Sequence, residues 1–159
     1  MPPERQGPAE AKATTPPPTA EEPPPVIRHD PPPGPPPRTP LITLLLRLTD
    51  AYFDFDQDSL RPDAQTALRT DSSILKEILS EEPDATLALE GDCDERGSAE
   101  YNLALGARRA EMAKDFLVEL GIPAKMLRTV SYGRERPQCT DETEACWEKN
   151  RRAHLSQTE

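Results

Sequence analysis

A chain of 159 residues with 29 acidic against 19 basic side chains has a formal charge of -10 and a pI of about 4.8, which argues against nucleic acid or an anionic membrane surface as the main partner. No apolar run approaches the ~20 residues of a membrane-crossing helix; "LITLLLRL" at 41–48 is short and contains Arg47. The length suffices for one domain with a core, but the composition is uneven.

Sixteen of the twenty prolines fall in the first forty residues, in runs such as "TTPPPTAEEPPP" and "HDPPPGPPPRTP". With almost no large apolar side chains, residues 1–40 are expected to form a disordered, Pro-rich tether of polyproline II character. At about 3.1 Å per residue such a spacer reaches on the order of 100 Å when fully extended. Met1 leads straight into Pro2, Pro3 and Glu4, without the basic and apolar regions of a signal peptide. The expectation is therefore a cytosolic protein or a start that is not the natural one. Residues 41–159 are the globular candidate.

Within it, "AYFDFD" (51–56) alternates like a half-buried strand. A helix follows, with Pro62 in its first turn and Asp63 at the positive end of its dipole. Its stripe of Ala64, Ala67, Leu68, Leu75, Ile78 and Leu79 runs until Pro83 ends it. "ATLALEG" (85–91) alternates again as a second strand. Ser98 is the expected N-cap of a second long helix, with a core stripe of Leu103, Ala107, Ala110, Ala113, Leu117 and Leu120 and a stop at Gly121. "LRTVSYG" (127–133) is a third strand, "TDETEACWEKN" (140–150) suits a short helix, and "RRAHLSQ" (151–157) a last strand. The order β-α-β-α-β-(α)-β gives an α+β sandwich, with helices on one face of a single sheet.

The chemistry gathers where the second strand runs out, in "EGDCDERGSAEYN" (90–102). Asp92, Asp94 and Glu95 lie in a loop, a common place for binding groups. On the helix that follows, Asn102 and Arg109 are seven residues apart and share a face, with Leu105 and Gly106 between them as a notch. Carboxylates on one rim and a guanidinium on the other suit a zwitterion, whose ammonium goes to a carboxylate and whose carboxylate goes to arginine. A solvated acidic turn is the bland alternative, and catalysis is a third. The chain has no Ser-His-Asp set, no phosphate loop and no obvious nucleophile beyond Cys93, and "DCDERG" lacks the ligand pattern of an EF-hand. The cysteines lack metal spacing and neither histidine completes a zinc set, so no metal or cofactor is expected. Cys139 and Cys146 bracket a six-residue polar loop and suit a local disulfide in an oxidising compartment. Two reduced cysteines, or a pairing with Cys93, remain the alternatives.

Four stretches, "YFDFDQDSLRPDAQ", "EGDCDERGSAEYNLALGARRA", "VSYGRERP" and "NRRA", resemble in collinear order the OmpA-like peptidoglycan-binding domain, and within it the branch of the peptidoglycan-associated lipoproteins. The resemblance covers about residues 50–155. It implies non-covalent binding of the meso-diaminopimelate of the peptide stem, and no catalysis. By position in the motifs, Asp94 grips the ligand's ammonium and Arg109 its carboxylate. Phe55 and Asp56 match a segment that supplies backbone contacts, and Asn102 and Leu105 match further pocket positions. The resemblance also implies a lipid-anchored protein on the periplasmic face of the outer membrane, working with Tol proteins such as a TolB-like partner. A module for such protein partners, with little wall binding, is the alternative function. Two departures stand out: the sequence shows no N-terminal lipidation cysteine, and Asp92 occupies the place where the motif usually has histidine. That carboxylate is expected to modulate the pocket by adding negative charge beside Asp94.

Overall fold

The computed structural model describes residues 40–157; apart from Pro40, the expected tether lies outside the described residues. In chain order the elements are helix α1 (Leu41–Leu46), strand β1 (Ala51–Tyr52), helix α2 (Pro62–Glu81), strand β2 (Leu87–Asp92), helix α3 (Ala99–Glu119), a 3-10 turn (Ala124–Met126), strand β3 (Leu127–Gly133), helix α4 (Glu144–Asn150) and strand β4 (Arg152–Gln157).

The four strands form one mixed sheet in the order β1-β4-β2-β3. β4 is antiparallel to both β1 and β2, whereas β2 and β3 are parallel and joined through α3. A parallel pair needs such a crossover, because a tight turn cannot bring the chain back to the same end. Leu87 and Leu89 of β2, Leu127 of β3, and Ala153 and Leu155 of β4 turn to the core, where Leu68, Leu75 and Ile78 of α2 and Ala110, Ala113 and Leu117 of α3 meet them. The intervening residues, among them Glu90, His154 and Ser156, face the other side. The helices on one face of a mixed sheet are the architecture expected from the sequence.

Local signals explain most boundaries. Pro62 opens α2, where its missing N–H costs nothing, and α2 ends at Glu81, just ahead of Pro83. The Ser98 hydroxyl accepts from the Tyr101 amide at 3.1 Å and starts α3. Gly121, with φ of 101°, turns the chain out of it.

Three details differ from expectation. The first strand covers only Ala51–Tyr52, because beyond Phe53 the backbone carbonyls of Asp54 and Gln57 turn to an arginine side chain instead of a neighbouring strand. The six-residue α1, which buries Leu44 against the core, had no periodicity to announce it. On α3 the buried face is Asn102, Leu105, Gly106, Arg109, Ala110, Ala113 and Leu117, while Leu103 is 47% exposed and Ala107 points outward. The face was misread because its first half is polar.

Gly106 is also not an open notch. A Cβ on Gly91 would lie 1.7 Å from the Gly106 carbonyl oxygen, so α3 meets β2 backbone to backbone at this glycine pair. That contact fixes how deep α3 sits on the sheet.

One buried carboxyl carries a testable cost. Burial raises Asp71 on α2 to about 6, against hydrogen bonds from the Thr49 amide (2.8 Å) and hydroxyl (3.1 Å). The folded state therefore holds a proton that the unfolded state releases near 3.8, so stability falls as pH rises between about 4 and 6 and stays reduced above. Asp71→Asn is expected to raise stability by about 1–3 kcal/mol at pH 7.5 and by nothing at pH 4, read as the difference between urea midpoints. An equal effect at both pH values would contradict this.

Candidate functional site

Three segments converge at one end of the sheet: the loop after β1, the loop between β2 and α3, and the first half of α3. They enclose a cavity of about 210 Å³ lined by Phe55, Asp56, Cys93, Asp94, Arg96, Gly97, Tyr101, Asn102, Leu105 and Arg109. Each segment is held by its own polar contacts. Asp56 adopts φ of 58°, in the left-handed region that aspartate tolerates better than most residues, and its carboxylate accepts the Tyr101 hydroxyl. The Cys93 amide donates to the Gly133 carbonyl at 2.7 Å. Asn102 ties the second loop to α3 by donating to the Arg96 carbonyl at 2.8 Å, and Arg134 donates to the Gly97 carbonyl at 3.1 Å.

Asp94 closes an Asx turn: its Oδ1 accepts the Arg96 amide at 3.0 Å and the Arg96 Nε at 3.3 Å. Its Oδ2 accepts Arg96 at 2.7 Å and Arg151 at 3.4 Å. Burial alone would raise this carboxyl, but the hydrogen bonds from Arg96 and Arg151 outweigh it and hold Asp94 below the usual carboxylate range. Arg151 is itself buried and anchored, donating at 2.7 Å to the Phe53 carbonyl and at 2.7 Å to Glu144. The Arg96 guanidinium lies between two rings, 3.8 Å from the Phe55 centroid and 4.2 Å from that of Trp147.

Arg109 is 0% exposed. Its nitrogens donate to the carbonyls of Gln57 (2.8 Å), Asp54 (3.0 Å) and Asp92 (3.1 Å), and it lies over the Phe53 ring at 5.2 Å. Among the described residues it forms no ion pair with a carboxylate. Burial lowers its pKa, but a guanidinium keeps its proton. A buried cation held by three carbonyl dipoles, with Asp94 and Asp56 acting on it only through space, is costly, and this one lines the cavity.

Asp94, Arg109, Phe55, Asp56, Asn102 and Leu105, singled out from sequence, thus all line one cavity. Asp92 does not. Its carboxylate is 1% exposed and turned to the open side of the sheet, where Arg152 lies at 3.3 Å and neither oxygen finds a hydrogen bond of good geometry. Burial raises it to about 6, opposed by Arg152 and reinforced by Glu90. Only its backbone carbonyl touches the site, through Arg109. The expectation of a charge beside Asp94 is therefore corrected: β2 ends at Asp92 with a shift of register between Gly91 and Asp92, and the two carboxylates part company there.

Sequence reasoning overlooked Arg96, Tyr101, Gly97 and Cys93 as lining residues and Arg151 as the second cation on Asp94. Arg151 lies in the quoted "NRRA" stretch, the one signal that pointed to it. Cys93 is buried and free, its thiol pushed up to about 11 by burial, and it contacts the Asn102 carbonyl. Cys139 and Cys146 form a disulfide with Cα atoms 5.4 Å apart. It ties α4 to a loop that Asn150 also holds, accepting from the Gln138 amide at 2.6 Å and the Cys139 amide at 3.1 Å. Among the described residues no group of three or more His, Cys, Asp or Glu is placed to hold a metal ion.

A larger depression of about 590 Å³ crosses the open face of the sheet. Its charges largely satisfy one another: Arg136 with Glu90 at 3.6 Å, Arg152 with Asp50 at 2.9 Å, and His154 with Asp50 at 2.6 Å. Of the two, the smaller cavity is the better candidate, because it presents a buried cation that has no ion-paired carboxylate among the described residues.

This fold with its cavity at one end of the sheet has relatives. The OmpA family model matches residues 52–151, and the chain belongs to the OmpA family. It is 46% identical over 102 residues to the peptidoglycan-associated lipoprotein of Agrobacterium fabrum, covering 64% of this chain and 55% of that protein. The chain thus spans little more than half the length of that curated relative. The crystal structure of the peptidoglycan-associated lipoprotein from Burkholderia pseudomallei is similar with a TM-score of 0.62 at 38% identity, over 69% of this chain and 89% of that one. The C-terminal domain of MotB from Helicobacter pylori gives a TM-score of 0.61 at 17% identity, over 69% of this chain and 82% of that one, a likeness of fold alone.

Proposed function

We propose that the domain binds peptidoglycan non-covalently, taking the meso-diaminopimelate of the peptide stem into the cavity between Asp94 and Arg109. The observation that carries this reading is the buried Arg109, a cation without an ion-paired carboxylate among the described residues, in the lining of the cavity. A ligand carboxylate pairs with that charge and accepts from the guanidinium. The ligand's ammonium goes to Asp94, which its neighbours keep ionised. Leu105 and Phe55 contact the aliphatic chain between the two charges, and the loop at Asp56 supplies backbone contacts. Asn102 holds the rim by its bond to Arg96. The function is capture, with no bond made or broken.

Similarity to the peptidoglycan-associated lipoproteins supports the wider role: linking the outer membrane to the wall from its periplasmic side, within a Tol-Pal-type system that includes a TolB-like partner. A lipid anchor ahead of the Pro-rich tether belongs to the same reading, with the tether as the spacer between membrane and wall.

Sedimentation with purified sacculi tests the clamp. Wild-type protein is expected to pellet with diaminopimelate-containing sacculi, to be released by free meso-diaminopimelate, and to ignore sacculi with lysine at that position, which keep the ammonium but lack the carboxylate. Asp94→Ala is expected to lose about 2–5 kcal/mol of binding, typical for truncating one partner of a buried charged contact. Equal retention on both kinds of sacculi would sink the reading.

A further inference from the structure

We infer that Arg96 sets which ligands reach Asp94: its guanidinium occupies the cation position on that carboxylate, and a ligand's ammonium binds there by displacing it. The inference rests on the reading of the cavity given above and adds a competitor inside it.

The argument is one of hydrogen-bond capacity. An ionised carboxylate offers about four lone-pair sites. On Asp94 they are taken by the Arg96 amide (3.0 Å), the Arg96 Nε (3.3 Å), the second Arg96 nitrogen (2.7 Å) and Arg151 (3.4 Å). An incoming ammonium has no free site unless one donor leaves. Arg151 cannot leave, because it is buried and bonded to the Phe53 carbonyl and Glu144. The Arg96 amide cannot leave either, since the backbone there is pinned by Asn102.

The Arg96 side chain can. It is 32% exposed and held at its sides by the Phe55 and Trp147 rings. Glu144 lies 3.9 Å away, outside the direct bond to Asp94, and is placed to receive the displaced guanidinium. The rings favour a cation at the mouth whether or not it reaches Asp94, so the side chain moves without losing all of its partners.

Selectivity follows. An anion without an ammonium meets Arg109 but leaves the Arg96–Asp94 pair closed. A zwitterion opens that pair and gains both charges. The cost is a lowered apparent affinity, because only the fraction of molecules with Asp94 released from Arg96 accepts the ammonium.

The test uses calorimetric titration of wild type, Arg96→Ala and Arg96→Lys with meso-diaminopimelate and, as the ammonium-free dicarboxylate, pimelate. Each variant is first checked by its melting curve. Arg96→Ala is expected to bind meso-diaminopimelate about five- to tenfold more tightly, the scale of one partly exposed ion pair removed from competition, with no gain for pimelate. Arg96→Lys, lacking the planar fork, is expected to fall between the two. Trp147 is the one tryptophan of the chain and reports the motion directly: its fluorescence should shift on binding in wild type and stay flat in Arg96→Ala. An Arg96→Ala protein that folds and binds as wild type does, or more weakly, overturns the inference while leaving the ligand assignment standing. If wild type and Arg96→Ala both ignore meso-diaminopimelate, the ligand assignment itself fails and the inference falls with it.

Discussion

Arg109→Ala is expected to abolish retention on sacculi and to lower the melting temperature at the same time. The binding loss, about 2–5 kcal/mol, comes from removing the cation that receives the ligand's carboxylate. The stability loss has a separate origin: the Asp92 carbonyl loses its donor in a buried setting and the carbonyls of Asp54 and Gln57 lose theirs in a partly buried one, at about 1–3 kcal/mol for a stranded buried group. Arg109→Lys separates the two effects. An ammonium keeps the charge but has no planar fork to reach three carbonyls, so it is expected to recover part of the stability and little of the binding. Chemical denaturation and sacculus sedimentation on the same samples read both quantities. If folded Arg109→Ala stays on sacculi like wild type, the clamp is wrong.

The second large effect is expected at a residue that touches no ligand. Gly91→Ala places a Cβ 1.7 Å from the carbonyl oxygen of Gly106 and 2.6 Å from its carbon. Neither partner yields easily: Gly91 is paired with Ser131 of β3 on one side and Ala153 of β4 on the other, and Gly106 lies inside α3. The helix has to lift from the sheet, at a cost of about 3 kcal/mol or more, the upper range for overpacking. Lifting α3 also withdraws Arg109, whose three carbonyl acceptors come from β2 and the loop after β1. Gly91→Ala should therefore lose stability and sacculus binding together. A variant with a native urea midpoint would show that the helix and strand have room to spare.

These cases show where sequence reasoning worked. The ends of α3 were legible because Ser98 and Gly121 act locally, and Asn102 and Arg109 share a face because helical spacing dictates it. The buried stripe of α3 was not legible: Leu103 looked like core but is exposed, and Arg109, read as a binding group on a rim, is fully buried. Asp92 was read as a neighbour of Asp94, but the end of β2 and its shift of register send the two carboxylates to different places. Arg151 stayed hidden because it meets Asp94 across 57 residues of chain. Arg96 lay in plain view, but nothing in its spacing says that its side chain folds back onto Asp94.

The place of β4 between β1 and β2 has a consequence for the order of assembly. The last of the four described strands to be made sits in the interior of the sheet, and until it arrives β1 has no neighbour and β2 is paired on one side only. Arg151, the residue just before it, bonds the Phe53 carbonyl from 98 positions away, and Arg152 reaches Asp50 from 102. Loops of that size close late and slowly. A chain emerging from the ribosome can form α2 and α3, but it can neither close its sheet nor brace Asp94 until Arg151 and β4 are free. Cutting away the final strand would remove the seam that joins both halves of the sheet, and the cavity with it.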